Sequence, residues 1–437
     1  MSIIPVSIPF YDRKAELSAL EEAVSSRRAE LIILYGRRRI GKTVLSKKLL
    51  EQHPGAYIYV GSSSIREFLT NASRAMGRTF TSLDDFLEYV FLEFGRGNKI
   101  LVLDEYQRIS KKLSPRIQYH WDASARKSRV KLMLLGSTIG MIERDISYTG
   151  PLYGRATRVI RLNGFDYETV REMFSEKGEE EIIKIYSIWG GTPHYLMLYE
   201  RTKAVEENIR NMFLSPGAPL YEEVERLLST ELRDSSRYLE ILEAVSMGKT
   251  TLKEISDYTG LERNQLKKYL LILEKLTLIE REASVIGRGI PRYKFRDNFL
   301  HFYMRFIRPN VPFIELRQEE YVLKRIIEGL QQYVGRVFEK ICLSVLSKKL
   351  HEYKIGSYWD REGNEVDAIA IGEGKTIFFE CKTGKIDRSD AIKFKGKTSV
   401  LAEKLNLTNF QRCFIVPEKD MGEIEGIEIL ELKQLLS

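Results

Sequence analysis

Leu31-Ile-Ile-Leu-Tyr-Gly-Arg-Arg-Arg-Ile-Gly-Lys-Thr43 decides the fold, because an apolar strand runs straight into GxxxxGKT. Gly36 and Gly41 permit the tight turn in which the amides from Arg37, Arg38, Arg39 and Ile40 converge on phosphate oxygens. Lys42 supplies a point charge to the β- and γ-phosphates, and the Thr43 hydroxyl is placed to ligate Mg²⁺. The helix expected from Val44 to about Glu51 aims its positive end at the same anion. A full match with strand before and helix after implies a nucleoside triphosphate site in an α/β sheet.

Downstream, Lys99-Ile-Leu-Val-Leu-Asp-Glu-Tyr106 is a second apolar strand ending in an acidic pair. At the carboxyl end of a parallel strand both side chains can reach the ligand crevice. Asp104 is expected to hold Mg²⁺, directly or through water, and Glu105 to act as the catalytic base on the attacking water. A third strand, Val130-Lys-Leu-Met-Leu-Leu-Gly136, ends at Ser137 and Thr138. A hydroxyl there either senses the γ-phosphate or serves as an ST-turn or helix cap. In Gly150-Pro-Leu-Tyr-Gly-Arg-Ala-Thr-Arg158, Arg155 is the candidate to neutralise charge on the γ-phosphoryl group, in cis or from a neighbouring subunit. A plain surface arginine is the competing reading.

These segments, with Phe10-Tyr-Asp-Arg-Lys-Ala-Glu-Leu17, LLGSTIGMIE and Trp189-Gly-Gly-Thr-Pro-His-Tyr195, occur in the order that resembles the archaeal ATPase family. That family lies in the AAA+-related branch of P-loop proteins, close to the STAND signalling ATPases. The resemblance implies a five-stranded parallel αβα core followed by a helical lid, with Pro193 of a GxP-like motif near the adenine. Asp12 stands where the pattern has glycine before Arg13, which leaves that element's contact on the adenine side open.

From about Arg237 the pattern becomes helical and then short-stranded. Tyr238–Val245 carries apolar residues at helical spacing. Thr251 and Glu254 form a capping-box signature closed by Gly260. Glu262–Leu276 is the expected third helix, with Leu266, Tyr269, Leu270, Leu273 and Leu276 inward; Ile279–Phe295, broken by Gly287 and Gly289, reads as a β-wing. This is a winged-helix layout. Arg263, Asn264, Gln265, Lys267 and Lys268 would face DNA, with Arg281, Arg288, Arg292, Lys294 and Arg296 of the wing on phosphates. A lid or protein-interaction module is the alternative.

Three C-terminal segments follow: Gly335-Arg-Val-Phe-Glu339, Asn364-Glu-Val-Asp-Ala-Ile-Ala-Ile371 and Thr376-Ile-Phe-Phe-Glu-Cys-Lys-Thr383. The last two read as antiparallel strands joined by the four-residue turn Gly-Glu-Gly-Lys. If Ile371 faces Thr376, Asp367 stands across from Glu380, with Lys382 on the same face. Asp367 and Glu380, with Glu339 adding a further oxygen, could bind Mg²⁺, and Lys382 could orient water. The pattern resembles the PD-(D/E)xK restriction-endonuclease-like fold in its E…D…ExK form. Any charged hairpin can show D…ExK, and some such domains keep the fold without the chemistry.

At 437 residues with 43% hydrophobic and 11% aromatic content, the chain holds two to three cores. A formal charge of +8 leans towards a polyanion. Cys342, Cys381 and Cys413 lack CxxC spacing, which points to a reducing, cytoplasmic setting. No apolar run suits a bilayer and no signal-peptide layout is present. The expected fold is α/β: a P-loop αβα parallel-sheet ATPase domain with helical lid (1–235), a winged-helix domain (236–315) and a C-terminal α/β restriction-endonuclease-like domain (325–437), with Pro309 and Pro312 marking a linker. The leading reading is an ATP-hydrolysing protein whose nucleotide state controls action on double-stranded or branched DNA, as monomer or homo-oligomer. The alternative is a STAND-like signalling or assembly switch whose C-terminal domains bind a protein.

Overall fold

A computed structural model of the chain describes residues 10–232, 234–287, 289–419 and 424–436. They pack as two compact units. The first comprises the residues up to Gly164, with Thr192–His194 and a short return at 229–232; the second comprises Phe165–Gly191, Tyr195–Leu228 and the chain from Asp234 onward.

In the first unit five parallel strands, β1 (Glu30–Tyr35), β2 (Gly55–Tyr59), β3 (Ile100–Asp104), β4 (Lys131–Gly136) and β5 (Arg158–Arg161), lie in the order β2-β3-β4-β1-β5. β1, β3 and β4 are buried along their whole length. This is why they read as unbroken apolar runs: helices cover both faces of a parallel sheet. Leu20, Ile32, Leu34, Val102 and Met133 meet in the core on one side. Because β4 separates β1 from β3, the loops after all three strands emerge side by side, which is where open α/β sheets bind ligands. The helix after the P-loop runs Lys42–Gln52.

The second unit begins with helices at Tyr167–Met173, Glu179–Trp189 and Val205–Phe213. Next come Ser235–Ser246, Leu252–Thr259 and Arg263–Lys275, then an antiparallel hairpin of β6 (Ile279–Glu282) and β7 (Arg292–Phe295). The capping box forms as read, with Thr251 and Glu254 exchanging bonds, and Gly260 at φ 67° ends that helix. Leu266, Leu270 and Leu273 are buried, while Tyr269 is only half-buried.

Pro309 and Pro312 do not mark a linker. Both prolines sit at helix N-terminal positions, where a missing N–H costs nothing, in a nearly continuous helical run from Asn298 to Glu315. Met304, Phe306, Ile307 and Ile314 of that run are buried. A 31-residue helix, Glu319–Lys349, follows and packs on the other helices. The Tyr333 hydroxyl lies 2.7 Å from the Ser187 carbonyl and 2.9 Å from that of Asn298. Tyr303 reaches Glu225 at 2.8 Å. These contacts explain why most of the expected lid packs with the C-terminal elements rather than with the parallel sheet.

The C-terminal sheet has five strands, β8 (Lys354–Trp359), β9 (Glu365–Gly372), β10 (Lys375–Cys381), β11 (Phe410–Val416) and β12 (Glu428–Glu431), in the order β12-β11-β10-β9-β8. β8, β9 and β10 are antiparallel neighbours; β10, β11 and β12 are parallel, with the helix Arg388–Lys404 crossing between β10 and β11. Ile371 faces Thr376, as the hairpin reading requires. The turn is tighter than expected: Gly372 pairs with Lys375, leaving only Glu373 and Gly374 in the loop, with Gly374 at φ 71°.

Candidate functional site

The P-loop geometry follows from its glycines. A Cβ on Gly36 would run into the Leu162 carbonyl, and Gly41 sits at φ 98° as the N-cap of the following helix. Lys42 is buried and donates to the carbonyls of Gly36 and Arg37, each at 2.8 Å. Desolvation lowers its pKa to about 8, against the pull of Glu105, Asp104 and Glu231. Ile40 is buried, Val44 is partly exposed, and Arg39 adopts φ 66°.

The Thr43 hydroxyl donates to Asp104 at 2.7 Å, and Tyr57 donates to the same oxygen at 2.5 Å. The other Asp104 oxygen accepts the Glu105 amide at 2.9 Å. A hydroxyl beside a carboxylate is the oxygen set a hard cation such as Mg²⁺ takes, so the residues fit that ion. Glu105 sits at φ 59°, and its carboxylate accepts Ser137 Oγ at 3.0 Å and Gln107 Nε2 at 2.8 Å. Gln107 also donates to Ser137 at 3.1 Å. A cavity of about 660 Å³ opens beside Glu105, lined by Arg38, Gln107, Arg108, Thr138 and Thr230.

The structure therefore brings Thr43, Asp104, Glu105 and Ser137 into one network, with Lys42 in the field of both carboxylates. Gln107, Tyr57 and Glu231 were missed; the first could have been suspected from its place two residues after the acidic pair. Arg155 stands apart from that network: its guanidinium forms a two-point pair with Asp122, at 2.9 and 2.7 Å. Pro193 begins the helix Pro193–Leu198, and the adjacent His194 has its pKa lowered by burial and by the charge of Arg39. Arg13 is buried and donates to Ile40 O at 3.2 Å and to Asn163 O at 2.6 Å, so it braces the P-loop. Asp12 takes φ 52°, a left-handed conformation that glycine adopts freely and aspartate tolerates.

In the second unit the β9–β10 ladder is paired as far as Ala368 with Phe379, and Asp367 and Glu380 are the next positions in register. Asp367 accepts the Cys381 amide at 2.8 Å. Burial and the neighbouring Glu380 raise its pKa to about 6; burial and Asp367 raise that of Glu339 to about 8. Glu380 meets two lysines, Lys397 at 2.7 Å and Lys382 at 3.8 Å. Lys397, on the helix after β10, was not foreseen. Among the described residues no three His, Cys, Asp or Glu side chains are already spaced to hold a metal. The carboxylates crowd each other, but lysines meet Glu380.

The expected wing is not free. Its loop folds onto β8: the Val285 amide donates to Ser357 O at 2.9 Å, and Trp359 Nε1 to Ile290 O at 2.9 Å. Val285 belongs to the C-terminal core. Arg292 pairs with Glu365 and stacks 4.7 Å over Trp359, while Lys294 pairs with Glu282. Arg281 and Arg296 remain exposed, and Arg288 lies outside the described residues. Arg263, Asn264, Gln265, Lys267 and Lys268 are all exposed on the third helix.

Residues 10–199 match an ATPase domain predominantly from Archaea, and residues 303–394 match archaeal and bacterial proteins of unknown function. The uncharacterized protein MJECL04 of Methanocaldococcus jannaschii is 31% identical over 445 residues, covering 96% of this chain and 98% of that one. The uncharacterized ATP-binding protein MJ0423 of the same organism is 57% identical over 44 residues, 10% of this chain and 75% of its own. Among solved structures, the Walker-type ATPase PABY2304 of Pyrococcus abyssi superposes with a TM-score of 0.53 at 22% identity, over 68% of this chain and 96% of that chain, which shows a shared fold. A phosphate loop built on β1, an acidic pair at the end of β3 and a relative matched nearly end to end lead to one conclusion: the chain belongs to the archaeal ATPase family.

Proposed function

We propose that the protein hydrolyses ATP to control an action on DNA, and that its C-terminal sheet carries a cation-dependent phosphodiesterase site. The ATPase chemistry rests on the network above. Lys42 neutralises phosphate charge, Thr43 and Asp104 offer oxygens to Mg²⁺, and Glu105 takes the proton from the attacking water. Ser137 and Gln107 hold Glu105 in one orientation. Bound Mg²⁺ would polarise the β- and γ-phosphate oxygens.

Action on DNA rests chiefly on the convergence of Asp367 and Glu380 with Lys382 beside them, in the same packed unit as the exposed Arg263–Lys268 face. Asp367 and Glu380 would hold the cation, Lys382 would orient water, and the helix face would contact phosphates. The docked hairpin favours a second reading: with Arg292 and Lys294 engaged internally, the module would be a protein-binding switch of the STAND kind.

Cleavage of plasmid and branched DNA with Mg²⁺ or Mn²⁺, with and without ATP, separates the two. The expected result is cutting by the wild type, lost in Glu380→Ala and altered in Lys42→Ala. Intact ATP turnover with no cutting under either metal would overturn the nuclease reading.

A further inference from the structure

The helix Glu223–Glu231 belongs mostly to the second unit, yet its last residues pack with the nucleotide unit. Thr230 lines the cavity beside Glu105, and Glu231 accepts the Ile139 amide at 3.2 Å. Ile139 is the first residue of the helix that follows Ser137 and Thr138, and Thr138 makes no side-chain cap there. Glu231 thus supplies the missing cap from a distant segment. Its carboxylate also lies in the field of Lys42, Arg38 and Arg37, the cations expected to meet ATP phosphates. Burial is the larger influence and raises its pKa to about 7, so the acid is held there despite the cost of desolvation.

We propose that Glu231 is a specificity-determining residue that discriminates ATP from ADP, standing in for γ-phosphate charge when that phosphate is absent. ADP leaves the carboxylate with its cations. ATP brings further negative charge to the same cations and drives the carboxylate off or into its protonated form. Four residues later the chain starts the helix Ser235–Ser246. The inference rests on residues 36–43 being a triphosphate site.

Binding of a non-hydrolysable ATP analogue and of ADP, both with Mg²⁺, is measured by calorimetry on the full chain and on Glu231→Gln. The glutamine keeps an acceptor for Ile139 and removes the charge. Analogue affinity should rise about tenfold and ADP affinity less than about threefold. Equal changes for the two nucleotides, or none, would overturn the role of Glu231 alone. A wild type that binds neither would overturn the triphosphate site as well. If Glu231→Gln fails to fold, Glu231→Asp carries the test, with a change in the analogue-to-ADP ratio in the same direction but smaller.

Discussion

Both candidate sites set a carboxylate pair at a strand end, but opposite chemistry surrounds them. In the nucleotide unit Asp104 accepts Thr43, Tyr57 and a backbone amide, while Glu105 accepts Ser137 and Gln107. Neutral donors hold both carboxylates, two of them on one oxygen of Glu105, so the arrangement exists before any ligand arrives. In the second unit Asp367 on β9 is pressed by Glu380 on β10, Glu339 on the 31-residue helix is pressed by Asp367, and Lys397 and Lys382 meet Glu380. Charge there is balanced by ammonium groups that a cation would have to displace. The fold alone organises the first site, whereas the second sets its crowded carboxylates against lysines.

The sharpest way to break that contrast is Glu105→Gln. If neutral donors already place the side chain, the amide will keep the shape and lose only the base. ATP turnover should fall about 10²- to 10⁴-fold while affinity for ATP and Mg²⁺ stays within about threefold. A comparable loss of affinity would mean that the network is not preorganised. Next in size is Trp359→Ala. Trp359 is buried, bonds Ile290 and lies under Arg292, so its removal should lower stability by about 3–5 kcal/mol in urea unfolding. ATP turnover at low temperature should be unchanged, because Ile290, Arg292 and Trp359 all lie within the second unit. A parallel loss of turnover would show the two sites to be one cooperative structure.

The sequence carried much of the first site, since strand, glycines, lysine and acidic pair are local in the chain and each has one physical task. It also carried the β9–β10 register, because side-chain period fixes which residues face each other. Tyr57 and Lys397 were hidden: each reaches its carboxylate from another element, and nothing in the surrounding residues marks it. The hairpin of the wing formed, but two of its expected phosphate contacts are taken for a related reason. Arg292 and Lys294 look like phosphate ligands in the sequence, but Glu365 and Trp359, more than sixty residues away, claim them in the fold. Pro309 and Pro312 misled because proline at a helix start is as favourable as proline in a linker.

A smaller test concerns the helical hub on which the second site is built. His301 is stacked 4.8 Å from Phe295 and lies edge-on to Tyr333. Burial, with Lys340, Arg305 and Arg336 nearby, lowers its pKa to about 3. Its folded value is below its unfolded value, so its contribution is present above about pH 6.5 and is lost as pH falls from there towards 3. Between pH 7 and pH 5 the cost should be about 2 kcal/mol, read from urea midpoints of the full chain. His301→Phe keeps the stacking and removes the titration, so its stability should decline less over the same range. An unchanged slope would mean that water and protons already reach His301 in the folded chain. The helices around His301 would then be a loosely closed support, open enough for the ring to gain its proton without unfolding.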